Sequence, residues 1–210
     1  MKTKLAVIDY GMGNLRSVSK AFEACGAEVN LITSPEQMGD ATGLVLPGVG
    51  ALGDCIDGLR ACNLIDLVKG WISEDRPFFG VCLGFQALYD YSEEGSVDGL
   101  GIFPGQVKRF QLPPEYKVPH MGWNAATFLD PSDSIVDGLV SEVDQFYFVH
   151  SYFVAPENED SSFFRSDYGG PFTSGIKRGN CVATQFHPEK SQKKGLQLYQ
   201  NFLKVVENAK

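Results

Sequence analysis

Short apolar runs alternate along the chain with segments whose apolar positions recur at helical spacing. Leu5–Asp9 reads as a buried strand ending in Tyr10-Gly11-Met12-Gly13. Arg16–Cys25 carries helical spacing and is stopped by Gly26, which tolerates the left-handed backbone of a helix C-terminus. Glu28–Ile32 and Gly43–Leu46 predict two further strands, the second running into Pro47-Gly48-Val49-Gly50. Helical stretches follow before and after Asn63. Pro77–Cys82 predicts a fourth strand and Phe85–Tyr91 a helix. Continuous apolar strands separated by helices predict a parallel sheet covered on both faces.

Beyond residue 100 the pattern changes. Gly101–Phe110, Gly122–Phe128, Gln145–Val154, Thr173–Lys177 and Val182–Gln185 read as strands joined by turns. Leu196, Tyr199, Phe202, Leu203 and Val206 make the apolar stripe of a C-terminal helix. Ala155–Gly170, polar and glycine-rich, is the longest expected loop. The expected fold class is therefore α/β. An open, mostly parallel central sheet has helices on both faces and a mixed or antiparallel extension. Residues 1–210 are expected to form one domain, without repeats or linkers.

Composition narrows the function. A hydrophobic share of 43% and a charged share of 21% exclude a disordered or collagen-like chain. Asp and Glu number 26 against 18 Lys and Arg, a formal charge of -8. That balance argues against nucleic acid and anionic membranes as partners. The first apolar stretch meets Asp9 too early for a signal peptide. Cys25, Cys55, Cys62, Cys82 and Cys181 are odd in number and lack Cys-x-x-Cys spacing. A disulfide framework or zinc site is not expected, and a reducing cytoplasm is the expected location. No cofactor or metal is expected.

Two motifs point to chemistry. Gly80-Val81-Cys82-Leu83-Gly84 joins a strand to a helix in the pattern Gly-x-nucleophile-x-Gly. The glycines relieve crowding at a tight turn that projects the sulfur outward. The following helix N-terminus favours a thiolate, and the Leu83 N–H can donate to an oxyanion. The alternative is the ordinary role of a free cysteine, a small buried hydrophobe. In Gln185-Phe186-His187-Pro188-Glu189, extended backbone puts His187 and Glu189 on one side, about 6.6 Å apart along the chain. Glu189 can then fix the tautomer of His187 while the other ring nitrogen faces a nucleophile. The alternative is a surface turn. His120 and His150 have no carboxylate at such spacing.

Two glycine-rich turns complete the picture. Pro47-Gly48-Val49-Gly50 sits at a strand end, where its N–H groups can give a second oxyanion donor or simply form a turn. Gly11-Met12-Gly13-Asn14-Leu15-Arg16 raises a dinucleotide-binding alternative. Arg16 occupies the third glycine position, and the second strand ends in Ile32-Thr33-Ser34 without an acid for a ribose. Both features count against NAD.

Together these residues resemble the class I, triad-type glutamine amidotransferases, and more narrowly the glutaminase subunits of imidazole glycerol phosphate synthase. The narrow likeness rests on Ile8–Val18, Leu46–Gly50, Gly80–Gln86, Pro119–Asn124, Phe148–Tyr152 and Gln185–Ser191, spread over residues 4 to about 203. The resemblance implies a glutaminase. Cys82 would attack the glutamine side-chain amide, His187 would shuttle the proton, and Glu189 would orient His187. The Leu83 N–H and an N–H of the Val49–Gly50 region would hold the oxyanion, with the Val49 peptide reorienting as a switch. Gln86, Glu94, Ser151 and Tyr152 would bind glutamine, Glu94 at the α-amino group; otherwise Glu94 is a solvated loop acid. A (β/α)8-barrel cyclase would be the heterodimer partner, meeting Met12, Asn14, Trp123 and Lys190. Alternatives keep the triad but supply ammonia to a sugar-modifying partner, or make the chain a stand-alone cysteine hydrolase or a catalytically silent regulatory subunit.

Overall fold

The computed structural model describes residues 2–209. Its first half runs β1 (Lys4–Ile8), α1 (Leu15–Ala24), β2 (Glu28–Ile32), β3 (Gly43–Gly48), α2 (Leu52–Ala61), α3 (Ile65–Ser73), β4 (Phe78–Cys82) and α4 (Leu83–Gln86). Then come β5 (Tyr89–Ser92), β6 (Val97–Asp98), β7 (Phe103–Arg109), β8 (His120–Ala125) and β9 (Thr127–Phe128). The chain ends with β10 (Gln145–His150), β11 (Tyr152–Pro156), β12 (Ser162–Asp167), β13 (Pro171–Arg178), β14 (Cys181–Thr184) and α5 (Gln192–Asn208). The main sheet has the order β2-β1-β3-β4-β14-β13-β11-β7-β5-β6, with β12 and β9 attached beside β13. From β2 to β14 every pairing is parallel. Antiparallel pairings begin at β13. This is the expected mostly parallel sheet with an extension.

Side-chain alternation in β1 shows why the centre is apolar on both faces. Leu5 and Val7 enter one core, Ala6 and Ile8 the other, and all four are fully buried. On the first face α1 and α5 bring Phe22, Tyr199 and Phe202 onto Phe79. Phe22 stacks on Tyr199 at 4.0 Å between ring centroids. On the second face α2 and α3 bury Leu52, Leu59, Val68 and Trp71 against Leu44 and Phe78. Burying each such side chain contributes about 1.5–3 kcal/mol. Among the described residues no helix is long and apolar enough to cross a membrane.

Four local expectations are corrected. The helix expected over Phe85–Tyr91 is a single turn, and Tyr89–Ser92 is a strand. Its apolar spacing suits a helix, but residues 97–109 claim its backbone. Gly99 N donates to the Asp90 carbonyl at 2.8 Å, and Ile102 N to the Leu88 carbonyl at 2.9 Å. The expected loop Ala155–Gly170 contains the end of β11 and all of β12, which buries Phe163 and Phe164. Gln145–Val154, expected as one strand, breaks at Ser151. β10 pairs with β8 in a separate two-stranded sheet, whereas β11 joins the main sheet. Gly122–Phe128 splits likewise into β8 and β9.

Candidate active site

The parallel strands β3, β4 and β14 are adjacent, so their carboxyl ends open at one edge. Ligands of open parallel sheets sit outside such ends. The middle strand delivers Cys82, β3 delivers the loop through Val49 and Gly50, and β14 leads into His187 and Glu189. One short stretch of topology thus gathers the two motifs and the glycine loop.

The turn at Cys82 is tight. Its φ of 53° and ψ of -102° lie in a region non-glycine residues rarely adopt. A β-carbon on Gly84 would overlap the Leu46 carbonyl oxygen, and one on Gly80 would lie 3.0 Å from Ala183 Cβ. Only glycine lets α4 start this close to β3 and β14. Leu83 opens α4, where the first N–H groups have no helical partner.

His187 is held from behind. Its Nδ1 lies 2.8 Å from Glu189 Oε1, and both side chains are 1% exposed. A carboxylate can only accept, so Nδ1 carries the proton. Nε2 is buried, without a hydrogen-bond partner among the described residues, beside the cavity that Cys82 also lines. Backbone bonds fix the ring's base. His187 N donates to the Tyr147 carbonyl at 2.9 Å. Ser191 Oγ donates to the His187 carbonyl at 2.6 Å and accepts from Tyr147 N at 2.9 Å. Tyr199 OH reaches Glu189 Oε2 at 3.5 Å. Burial alone would lower the His187 pKa; its neighbours Cys82 and Glu189 outweigh burial and raise the value to about 10.

A cavity of about 520 Å³ opens between these elements. Cys82, His187, Val49, Gly50, Leu83, Gln86, Glu94, Ser151, Tyr152, Asn14 and Lys190 all line it. Glu189 stands behind His187 instead. Glu94 is half-buried rather than a solvated loop acid. One carboxylate oxygen accepts from Leu52 N at 3.1 Å, at the N-terminus of α2, and Glu94 N donates to Ser92 Oγ at 3.0 Å. Met12 is half-buried, with Cε 2.8 Å from where a β-carbon on Gly50 would lie. Trp123 is 45% exposed on β8 and meets Tyr147 edge-on at 6.1 Å. Lys190 Nζ lies 5.8 Å over the same Tyr147 ring.

One residue that the motifs do not single out also belongs to the site. Gln185 is fully buried, and its Nε2 donates to Cys82 Sγ at 3.6 Å. Its Oε1 accepts from Gln86 Nε2 at 2.9 Å, and Gln86 Nε2 also donates to the Tyr152 carbonyl at 3.0 Å. The signal was available, since Gln185 precedes His187 by the same two residues that separate His187 from Glu189. Among the described residues no group of three or more His, Cys, Asp or Glu side chains is placed to hold a metal. The arrangement suits acyl transfer: a thiol at a strained turn, an imidazole on the same cavity and a carboxylate behind it.

The HisH subunit of imidazole glycerol phosphate synthase from Aquifex aeolicus is 50% identical, covering 97% of this chain and 98% of its own. The HisH subunits of Nitrosococcus oceani and Rhodopirellula baltica are 48% and 47% identical, each over at least 94% of both chains. Among solved structures, PurLQS from Thermotoga maritima superposes with a TM-score of 0.74 at 17% identity, over 100% of this chain and 99% of that one. A glutamine amidotransferase structure gives 0.72 at 19% identity, over 96% and 98%. These two show the fold. Residues 6–206 match the glutamine amidotransferase class-I family, so the chain belongs to that family and, within it, to the HisH subunits of imidazole glycerol phosphate synthase.

Proposed function

We propose that the chain is the glutaminase of an imidazole glycerol phosphate synthase and works through a Cys82–His187–Glu189 triad. The observation that carries this reading is the unpartnered Nε2 of His187, buried beside Cys82 with Nδ1 tied to Glu189. As the Cys82 sulfur attacks the side-chain amide carbon of glutamine, its thiol proton passes to His187 Nε2. The carbonyl π pair moves onto oxygen, where the Leu83 N–H and an N–H of the Val49–Gly50 loop receive it. Loss of one such donor typically costs about 100- to 1,000-fold in rate. Collapse of the tetrahedral intermediate breaks the C–N bond, and the proton on His187 Nε2 leaves with ammonia. His187 then takes a proton from water as the oxygen attacks the γ-glutamyl thioester, releasing glutamate and restoring the thiol. Glu94 binds the substrate α-amino group, Ser151 and Tyr152 its carboxylate, and Gln86 lies along the cavity wall between them and Cys82.

Ammonia released to solvent is protonated and lost as a nucleophile, so the reading includes a heterodimer partner. That partner is a (β/α)8-barrel cyclase, which uses the ammonia to form imidazole glycerol phosphate and an aminoimidazole carboxamide ribotide in histidine biosynthesis. The overall step is classed as a lyase and takes place in the cytoplasm. Met12, Asn14, Trp123 and Lys190 meet the barrel around the cavity mouth, and the Val49 peptide reorients when the barrel is loaded.

Glutamate release should be slow for the chain alone and rise strongly only with the cyclase barrel and its nucleotide ligand together. Turnover indifferent to the barrel would reject this partner in favour of a sugar-modifying one or a stand-alone hydrolase. A second expectation concerns pH. Glu189 helps to raise the His187 pKa, so Glu189→Gln should move the alkaline limb of the kcat profile to lower pH. It should also lower kcat by roughly 100- to 10,000-fold through loss of the correct tautomer. An unshifted alkaline limb would remove Glu189 from the triad.

A further inference from the structure

Two imidazoles lie buried beside the candidate glutamine pocket, and the triad does not use them. His120 and His150 face each other across the β8–β10 pair, 3% and 6% exposed. His120 is stacked between Tyr168 at 3.9 Å and Phe148 at 4.7 Å. His150 packs against Phe110 and Phe172 and lines the cavity. Burial lowers their pKa values to about 4 and about 3, so both are neutral near pH 7, each with one N–H.

Their neighbours fix which nitrogen carries it. His150 Nδ1 lies 2.8 Å from the Tyr152 carbonyl, which can only accept, so Nδ1 is the donor. His150 Nε2 is then an acceptor, and His120 Nδ1 donates to it at 3.0 Å. His120 Nε2 is in turn an acceptor facing Asn124 Nδ2 at 3.4 Å, and the same amide nitrogen donates to the Asp167 carbonyl at 2.8 Å. A one-way chain of donors therefore runs from β8 to the Tyr152 carbonyl. That carbonyl also receives Gln86 Nε2, whose other bond leads through Gln185 to Cys82 Sγ.

We propose that the His120–His150 pair positions the glutamine subsite, by holding the Tyr152 carbonyl and through it Gln86 against the pocket wall. Two phenylalanines would fill the same aromatic box without the desolvation cost of two imidazoles. What the imidazoles add is the directed bond to Tyr152. The pair touches neither Cys82 nor the leaving group in this scheme, so it acts on substrate affinity rather than on bond making. The inference rests on the glutaminase reading above and deepens it.

The test compares His150→Phe with His150→Asn in the full chain, with and without the cyclase barrel. Phenylalanine keeps the ring and removes the donor, whereas the asparagine amide can still donate to the Tyr152 carbonyl. Loss of one buried hydrogen bond should raise KM for glutamine about five- to tenfold in His150→Phe, with kcat changed less than about twofold. His150→Asn should recover most of the affinity. In a Cys82→Ala background, calorimetry should show glutamine binding weakened by the same factor. His120→Phe breaks the link one bond further away and should shift KM in the same direction. An unchanged KM in His150→Phe, equal impairment of both His150 variants, or a fall in kcat alone would overturn the proposal. No turnover by the unsubstituted protein under any condition would overturn the glutaminase reading with it.

Discussion

Replacing Cys82 with alanine is expected to lower kcat for glutamine by about 10⁶-fold, the size typical of removing the nucleophile of a triad that acts as a unit. The fold should survive. Cys82 sits at a φ of 53°, and alanine carries the same backbone strain there as cysteine. The lost sulfur contacts should cost no more than about 1 kcal/mol. Glutamine should still bind, because Glu94, Gln86, Ser151 and Tyr152 line the cavity independently of the sulfur. Parallel rate and calorimetric measurements separate these effects. A variant that binds glutamine and retains ordinary turnover would place the chemistry elsewhere.

The second large effect concerns the glycine after the nucleophile. Gly84→Ala would drive a β-carbon into the Leu46 carbonyl, where the neighbour is backbone and cannot swing away. Relief requires α4 to back off from β3, which undoes packing on the Leu46, Leu83 and Phe85 side of the sheet. A loss of about 4 kcal/mol or more is expected in urea unfolding, and the elbow would be misplaced even in molecules that fold. Gly70→Ala is the matched control. Gly70 lies inside α3 with nothing within 4 Å of its missing β-carbon, so this change should stabilise by about 0.5–1 kcal/mol. Equal effects of the two substitutions would show that the space behind Gly84 is not what demands glycine.

How much the sequence revealed depended on how locally each feature is determined. The strands β1, β3 and β4 are readable because each is a short, largely apolar run: Leu5–Ile8, Leu44–Leu46 and Phe78–Cys82. The elbow was readable because a nucleophile between two glycines is a local geometric demand. The strands β5 and β12 were not. Each is defined by backbone bonds to partners outside its own segment, β5 to β6 and β7, and β12 to β9 and β13. Their own residues suited a helix or a loop equally well. The site divided in the same way. The spacing marks His187 and Glu189 as a pair, although Pro188–Lys190 forms a 3-10 turn rather than the expected extended backbone, and the cavity brings the expected glutamine contacts together. Gln185 shares the two-residue spacing of His187 and Glu189, but a neutral amide shows its role only once its partners Cys82 and Gln86 are placed. His120 and His150 have no carboxylate at catalytic spacing in the sequence. Their partners are each other and a carbonyl, and only the β8–β10 register brings them together.

The central claim is that Cys82 forms a γ-glutamyl thioester in a pocket built for glutamine. Acid quenching of the chain during turnover with the loaded cyclase barrel, followed by peptide mass mapping, tests it most directly. The account predicts a γ-glutamyl increment on the peptide holding Cys82, absent without glutamine and absent in Cys82→Ala. Steady glutamate release with no adduct on Cys82, or with the adduct on another cysteine, would contradict it.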